Sequence, residues 1–168
     1  MIFSHADDIL YRSFAVWHYI NVIFQLSVLT DLLLGAFLGG LVGLERDFAG
    51  KVAGARTYAL VALGSTLFTI IGRELVIQLG EGAGADPTRI PAQIVTGIGF
   101  IGAGIIIHQG LRARGITTAA GLWVVAAIGT AVGFKMYPAA IFTSFLGIII
   151  LYFLRKIDLE KEFHEVRE

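Results

Sequence analysis

The sequence lacks most of the groups on which catalysis and metal binding depend. It has no cysteine, which excludes disulfides and thiolate metal sites. Its four histidines are scattered without metal-ligand spacing. No aspartate or glutamate occurs between Pro87 and Ile157. A P-loop, an H-E-x-x-H motif and a nucleophile elbow are also missing. We therefore expect no enzymatic activity.

Charge is scarce and apolar residues are abundant. Charged residues make up 15 % of the 168 residues and apolar residues 56 %, against about 25 % charged in a typical soluble domain. The formal net charge is zero, so no basic field attracts nucleic acid. The composition predicts an integral membrane protein in contact with the lipid bilayer and without a nucleic-acid partner.

The charge-poor runs predict an all-α, polytopic transmembrane helix bundle of about five spans, each long enough for a ~30 Å hydrocarbon core. The predicted organisation is an N-terminal interfacial segment over 1–23, a helical bundle over 24–154 and a short charged cytoplasmic tail over 155–168. A sixth span over 8–26 is the alternative. Lys and Arg alternate between sides in a way that predicts the N-terminus outside and the C-terminus inside.

Glycines recur inside two predicted spans, although each costs about 1 kcal/mol relative to alanine in a helix. In span one they are Gly35, Gly39 and Gly43, and in span three Gly97, Gly99, Gly102 and Gly104. Small residues let helices approach closely in lipid, so we predict close packing, with span three at the bundle centre. Unwinding of span three, as in transporters, is the alternative. The segment GIGFIG lacks the strand and acidic residue of a dinucleotide site, so no cofactor is expected.

Polar residues near the membrane form a candidate functional cluster. Its members are Glu45, Arg46, Lys51, Arg56, Asp86, Arg89, Gln93, Arg114, Thr117 and Thr118. Ionisable residues at membrane depth are functional hypotheses by default, although Glu45 and Arg46 could equally anchor the interface. Arg89 is expected to pair with Asp86 or Asp31.

Helix-capping residues mark three predicted helix starts. Asp86 is expected to cap span three, and Thr117 or Thr118 could cap span four. Pro138 is expected in the first turn of span five.

A Mg²⁺ site normally needs oxygen ligands, including one or two carboxylates. The membrane-depth carboxylates are expected on opposite sides, with Glu45 inside and Asp31, Glu74 and Asp86 nearer the outside. This distribution argues against a carboxylate-lined channel but leaves an ion held by backbone oxygens open. Mg²⁺ therefore stays possible without a predicted ligand set.

Three long blocks resemble the MgtC/SapB family of bacterial inner-membrane proteins. They are GLERDFAGKVAGARTYALVALGSTLF (43–68), DPTRIPAQIVTGIGFIGAGIII (86–107) and RGITTAAGLWVVAAIGTAVG (114–133). The resemblance implies a plasma-membrane protein linked to Mg²⁺ homeostasis, growth at low Mg²⁺ and virulence. It also implies action by binding a membrane partner, with F-type ATP synthase as the candidate. The alternative is a Mg²⁺ or small-solute transporter with a polar site near Glu45, Asp86 and Arg89.

The motif positions of these blocks carry over residue by residue. They are Glu45, Arg46, Gly50, Lys51, Gly54, Arg56, Thr57, Asp86, Pro87, Arg89, Gln93, Gly97, Gly99, Gly102, Gly104, Arg114, Gly115, Thr117, Thr118 and Trp123. The virulence members carry a further soluble C-terminal domain, and this sequence ends after a short charged tail, so a role that needs that domain is not expected. The glycine face of span one could also support a homo-oligomer.

Overall fold

A computed structural model describes residues 3–80, 84, 86–109 and 112–165, with side chains over 23–80, 84, 86–106 and 113–156. The helices are α1 (Phe3–Phe48), α2 (Ala55–Leu79), α3 (Arg89–Ile105), α4 (Ile116–Gly133) and α5 (Tyr137–Glu165). A short antiparallel hairpin, β1 (Ile107–Gln109) with β2 (Arg112–Arg114), joins α3 to α4. The all-α helical bundle is confirmed.

Four helices are long and apolar enough to cross a membrane, namely Ile23–Phe48 of α1, α2, α4 and Tyr137–Lys156 of α5. The fifth, α3, has 17 residues and rises about 26 Å, just short of a ~30 Å core. Five predicted spans thus correspond to five helices, of which α3 falls below the length of a full crossing.

Helix α1 runs without a break from Phe3 to Phe48. At 1.5 Å per residue its 46 residues extend about 69 Å, more than twice the thickness of the hydrocarbon core. The apolar span begins at Ile23, close to the predicted boundary at residue 24. The interfacial position of 1–23 stays a prediction, and residues 1 and 2 lie outside the described residues.

Helix α4 occupies the middle of the bundle and packs against the other four helices. It carries no charged residue, and Leu122, Val125, Ile128 and Val132 are almost fully buried. A helix that is apolar on every side suits a position surrounded by other helices. The core therefore forms around α4, with α1, α2, α3 and α5 on its sides.

Glycines bring α1, α2 and α4 into backbone contact. A Cβ at Gly39 would lie 2.5 Å from Ala62 Cβ, and one at Gly129 would overlap the carbonyl oxygen of Ala62. The same crowding occurs at Gly35 and at Gly43, both against α2. The glycine face of span one is thus covered by α2 within the same chain, which removes it as a free surface for a second copy.

The expectation that span three lies at the bundle centre is wrong. Helix α3 buries only Ile98 and Gly102, and a Cβ at Gly102 would contact α4. A Cβ added at Gly97, Gly99 or Gly104 would meet no atom within 4 Å. The physical reason is that α4, which is apolar all round, takes the central position, so α3 packs at the periphery.

Replacing Gly39 by alanine tests the close contact. We expect Gly39→Ala to lower the free energy of unfolding by about 1–3 kcal/mol, because overpacking a dense core costs about that much. Thermal unfolding in detergent measures the effect. Gly99→Ala is the matched control, and it should be neutral or stabilising because its Cβ enters open space and alanine favours helix. Equal melting temperatures for the two variants would contradict the packing role of Gly39.

Candidate functional site

The charged residues lie at two opposite ends of the bundle. The Glu45 end contains the last turn of α1, the starts of α2 and α4, and residues 151–156 of α5. The Asp31 end contains Asp31, the last turns of α2, the start of α3 and the α4–α5 turn. Hydrogen bonds fix this arrangement, because Tyr58 reaches Thr118 at the first end and Arg73 reaches Gly133 at the second.

Glu45 and Arg46 form a buried ion pair at the Glu45 end. Arg46 is 1 % exposed and Glu45 8 %. The guanidinium contacts Glu45 Oε2 through Nε and Nη2 and donates to the carbonyl oxygen of Leu151 at 3.3 Å. The other carboxylate oxygen, Oε1, lies 3.5 Å from Arg155 Nη1. The pair thus ties the end of α1 to α5 rather than facing the headgroups.

The loop between α1 and α2 is fixed by Asp47. Its Oδ2 accepts a hydrogen bond from the amide of Ala55 at 2.9 Å, which satisfies one of the free amides at the start of α2. A Cβ at Gly54 would overlap the Asp47 carboxylate, so a larger residue there would displace the carboxylate from this position. Lys51 in this loop and Arg56 in the first turn of α2, two of the predicted site residues, are both exposed.

Tyr58 connects the starts of α2 and α4. It is fully buried, and its hydroxyl donates to the carbonyl oxygen of Thr118 at 2.9 Å. Thr118 is buried and Thr117 exposed. The predicted capping role of these threonines is wrong, because α4 begins earlier, at Ile116, after Gly115 with a left-handed φ of 90°.

Asp86, Arg89 and Gln93 are exposed at the Asp31 end. Asp86 Oδ1 accepts hydrogen bonds from the amide and hydroxyl of Thr88, at 2.8 and 2.7 Å. The hydroxyl bond, more than the amide bond, lowers the pKa of the Asp86 carboxyl below its ordinary value. Helix α3 begins at Arg89, so Asp86 orders the preceding turn instead of capping the helix directly.

The predicted polar residues do not converge on one site. Arg114 is exposed near the start of α4, at the Glu45 end, whereas Asp86, Arg89 and Gln93 lie at the other. Of the two expected partners of Arg89, Asp31 is excluded, because it is paired with Lys135. Two separate polar clusters therefore replace the predicted single one.

The second cluster surrounds Asp31 and was only partly visible in the sequence. Asp31 is 1 % exposed and contacts Lys135 Nζ, while the Tyr137 hydroxyl donates to Asp31 Oδ1 at 2.7 Å. Lys135 Nζ also donates to Ser27 Oγ at 2.6 Å. Burial alone would lower the pKa of Lys135, but the hydrogen bonds to Asp31 and Tyr137 outweigh it and raise the pKa.

Lys135 pairs with Asp31 from an unusual backbone conformation. It has a left-handed φ of 62°, which non-glycine residues seldom adopt. The isolated charge of Asp31 at membrane depth was the available signal in the sequence. Its partner could not be identified because Lys135 is 104 residues away along the chain.

A second ion pair lies beside this cluster. Arg73 Nη2 is 2.9 Å from Glu74 Oε1, and Arg73 Nη1 donates to the carbonyl oxygen of Gly133 at 2.6 Å. The buried or half-buried carboxylates at both ends thus have basic partners. Within the part of the chain that the structure describes, no three His, Cys, Asp or Glu residues lie close enough to hold a metal ion.

Helix α3 presents two exposed faces besides the one that packs on α4. Its outward face carries Ala92, Thr96, Gly99 and Ala103, all exposed, at the i, i+4, i+7 and i+11 positions of one helical stripe. Its other face borders a cleft against α2. The helix with the highest density of glycine therefore leaves most of its surface uncovered by the rest of the bundle.

The region with this geometry is also the region shared with a known family. The model of the MgtC family matches residues 32–159, which include the Glu45–Arg46 pair, Lys135 and all the glycine contacts described above. The chain belongs to the MgtC family. Its apolar helices and this membership make it a membrane protein.

Several curated proteins are similar to this MgtC-family chain. "Putative magnesium transporter YhiD" of Escherichia coli is 42 % identical over 79 % of this chain and 64 % of its own length. "Protein MgtC" of Brucella abortus is 44 % identical over 80 % of this chain and 55 % of its own. "Protein MgtC" of Salmonella typhimurium is 38 % identical over 75 % of this chain and 52 % of its own length. The match thus spans half to two thirds of these relatives, and no solved structure matches.

The buried ion pair of the Glu45 end yields a direct test. Glu45→Gln keeps the shape of the side chain but leaves the Arg46 guanidinium unpaired. Breaking one partner of a buried pair costs about 3–5 kcal/mol, so we expect a loss of stability of that order in denaturant unfolding in detergent.

Asp86→Asn is the matched control for the Glu45 substitution, because it makes the same change from carboxylate to amide at an exposed position. It should change the free energy of unfolding little. A Glu45→Gln protein as stable as wild type would show that the pair does not hold α1 to α5.

Proposed function

We propose that the chain is a multi-pass protein of the bacterial inner membrane, with its N-terminus outside and its C-terminus inside. It supports Mg²⁺ homeostasis and growth at low Mg²⁺, and it acts by binding a membrane-protein partner rather than by catalysis. The single observation that carries this proposal is the outward face of α3. The first candidate partner, from the family resemblance, is F-type ATP synthase.

The outward face of α3 has the properties of a helix-docking surface within lipid. Ala92, Thr96, Gly99 and Ala103 are all exposed, and a Cβ at Gly99 would meet no neighbouring atom within 4 Å. Small side chains let two helix backbones approach, and this contact drives association in membranes where apolar burial cannot. Phe100, 85 % exposed beside this stripe, offers a large apolar group to the same partner.

The proposed orientation rests on the distribution of exposed basic residues. Lys51, Arg56, Arg114 and Lys156 are all exposed at the Glu45 end. The cytoplasmic side of membrane proteins carries the excess of Lys and Arg, so the Glu45 end is assigned to the cytoplasm. At the Asp31 end, Arg89 is the one exposed basic residue among the described side chains.

Transport is the second candidate, favoured by the name of the relative, "Putative magnesium transporter YhiD". The residues assigned to a transport site are separated, with Glu45 at one end and Asp86 and Arg89 at the other. Glu45 is also neutralised by Arg46, which disfavours binding of a cation at its carboxylate. Partner binding is therefore preferred to Mg²⁺ or solute passage along these residues.

Adding bulk to the outward face of α3 tests partner binding. We expect Ala103→Leu and Gly99→Leu to lower recovery of the F-type ATP synthase with the tagged protein at least tenfold, since a leucine at either position prevents close backbone approach. Growth at low Mg²⁺ should fall in parallel. Both positions are open in the bundle, so the variants should fold.

Ala139→Leu, at an exposed alanine on α5, is the matched control and should leave recovery and growth unchanged. If Ala103→Leu and Ala139→Leu recover the synthase equally, the α3 surface is not its docking site. Purified protein in liposomes tests the second candidate function, transport. Mg²⁺ flux that depends on Glu45 would favour transport over partner binding.

A further inference from the structure

An apolar cleft of about 740 Å³ opens between α2 and α3. Gly64 and Gly97 face it, and a Cβ at either position would meet no atom within 4 Å. The remaining lining is apolar except for Thr57, Ser65 and Gln93. The volume lies within the ~300–1,000 Å³ of small-molecule sites, which are likewise mostly apolar with a few polar groups.

The cleft is long enough to hold an extended acyl chain. On α2 its lining runs from Thr57 to Phe68, a rise of about 16 Å, and on α3 it continues to Ile90 in the first turn of that helix, so the cleft reaches from the Glu45 end past the middle of a ~30 Å hydrocarbon core. Thr57 lies in the first turn of α2, where the helix enters the membrane at the Glu45 end. A single acyl chain of the leaflet at that end therefore has the length to follow the cleft.

The charge at the Glu45 end of the cleft determines which lipid headgroup is attracted. The described basic residues at the Glu45 end are Arg46, Lys51, Arg56, Arg114, Arg155 and Lys156, and the described acidic ones are Glu45 and Asp47. Glu45 is already paired with Arg46, and Asp47 accepts the amide of Ala55.

The Asp31 end has no such excess among the described side chains. Its basic residues are Arg73, Arg89 and Lys135, and its acidic residues are Asp31, Glu74 and Asp86. An anionic headgroup is therefore attracted to the Glu45 end, since basic groups between membrane helices bind anionic lipids.

We propose that the α2–α3 cleft binds one anionic phospholipid of the leaflet at the Glu45 end. An acyl chain fills the cleft over Gly64 and Gly97, and the phosphate lies against Arg56 and Arg114. Arg56 precedes Thr57 on α2, and Arg114 lies at the start of α4, which packs against the start of α2 through the Tyr58–Thr118 hydrogen bond. This proposal is independent of the partner surface, which is the outward face of α3.

Native mass spectrometry of the purified full chain in detergent tests the headgroup. Phosphatidylglycerol and phosphatidylcholine with identical acyl chains are the two probes. We expect preferential binding of phosphatidylglycerol, and Arg56→Gln or Arg114→Gln should each lower that preference about fivefold, as expected for loss of one basic group near an anionic surface. Arg89→Gln is the matched control, because Arg89 is an exposed arginine at the Asp31 end, and it should leave the preference unchanged.

Filling the cleft tests the acyl-chain site separately. The double variant Gly64→Leu/Gly97→Leu should bind neither lipid while keeping its melting temperature in detergent, because both side chains enter open space. Equal binding of the two lipids by wild type, or phosphatidylglycerol bound undiminished by the filled variant, overturns the proposal. If the filled variant loses a protein partner but still binds phosphatidylglycerol, the cleft is the site of a partner helix. That result also overturns the proposal.

Discussion

The structure depends on the contact of three helix backbones at Ala62. The Cβ of Ala62 occupies the space beside Gly39 of α1, and its carbonyl oxygen the space beside Gly129 of α4. Because lipid supplies no hydrophobic force between helices, this close contact must hold the bundle together with the hydrogen bonds that it allows. One of them joins Tyr58 of α2 to Thr118 of α4. Such bonds contribute about 0.6–2 kcal/mol each in membranes, and they set the register of helices that otherwise present smooth apolar surfaces.

Ion pairs at both ends then fix α1 against the second half of the chain. Arg46 reaches Leu151 of α5 at the Glu45 end, and Asp31 binds Tyr137 and Lys135 at the other. Charges are costly at membrane depth unless they are paired, so each pair requires that the helices carrying its two partners lie side by side, as the glycine contacts allow. The polar clusters and the glycine contacts therefore depend on each other.

Hydropathy is a property of each segment alone, and it was sufficient to predict the helical class, the number of helices and the positions of the apolar runs. The pairing of Asp31 with Lys135 could not be predicted in this way, because it depends on which helices become neighbours. For the same reason, glycine spacing could not distinguish α1, whose Gly39 meets Ala62, from α3, whose Gly99 faces outward.

The glycines of α3 need a separate explanation because the packing of α3 differs from that of α1. Each exposed glycine in a helix costs about 1 kcal/mol relative to alanine, and in α1 close packing offsets this cost. In α3 no contact within the described part of the chain does so at Gly97, Gly99 or Gly104. A molecule that packs closely against α3 would offset this cost. The two open faces of α3 suit two different molecules, namely an acyl chain on the face towards α2 and a partner helix on the outward face.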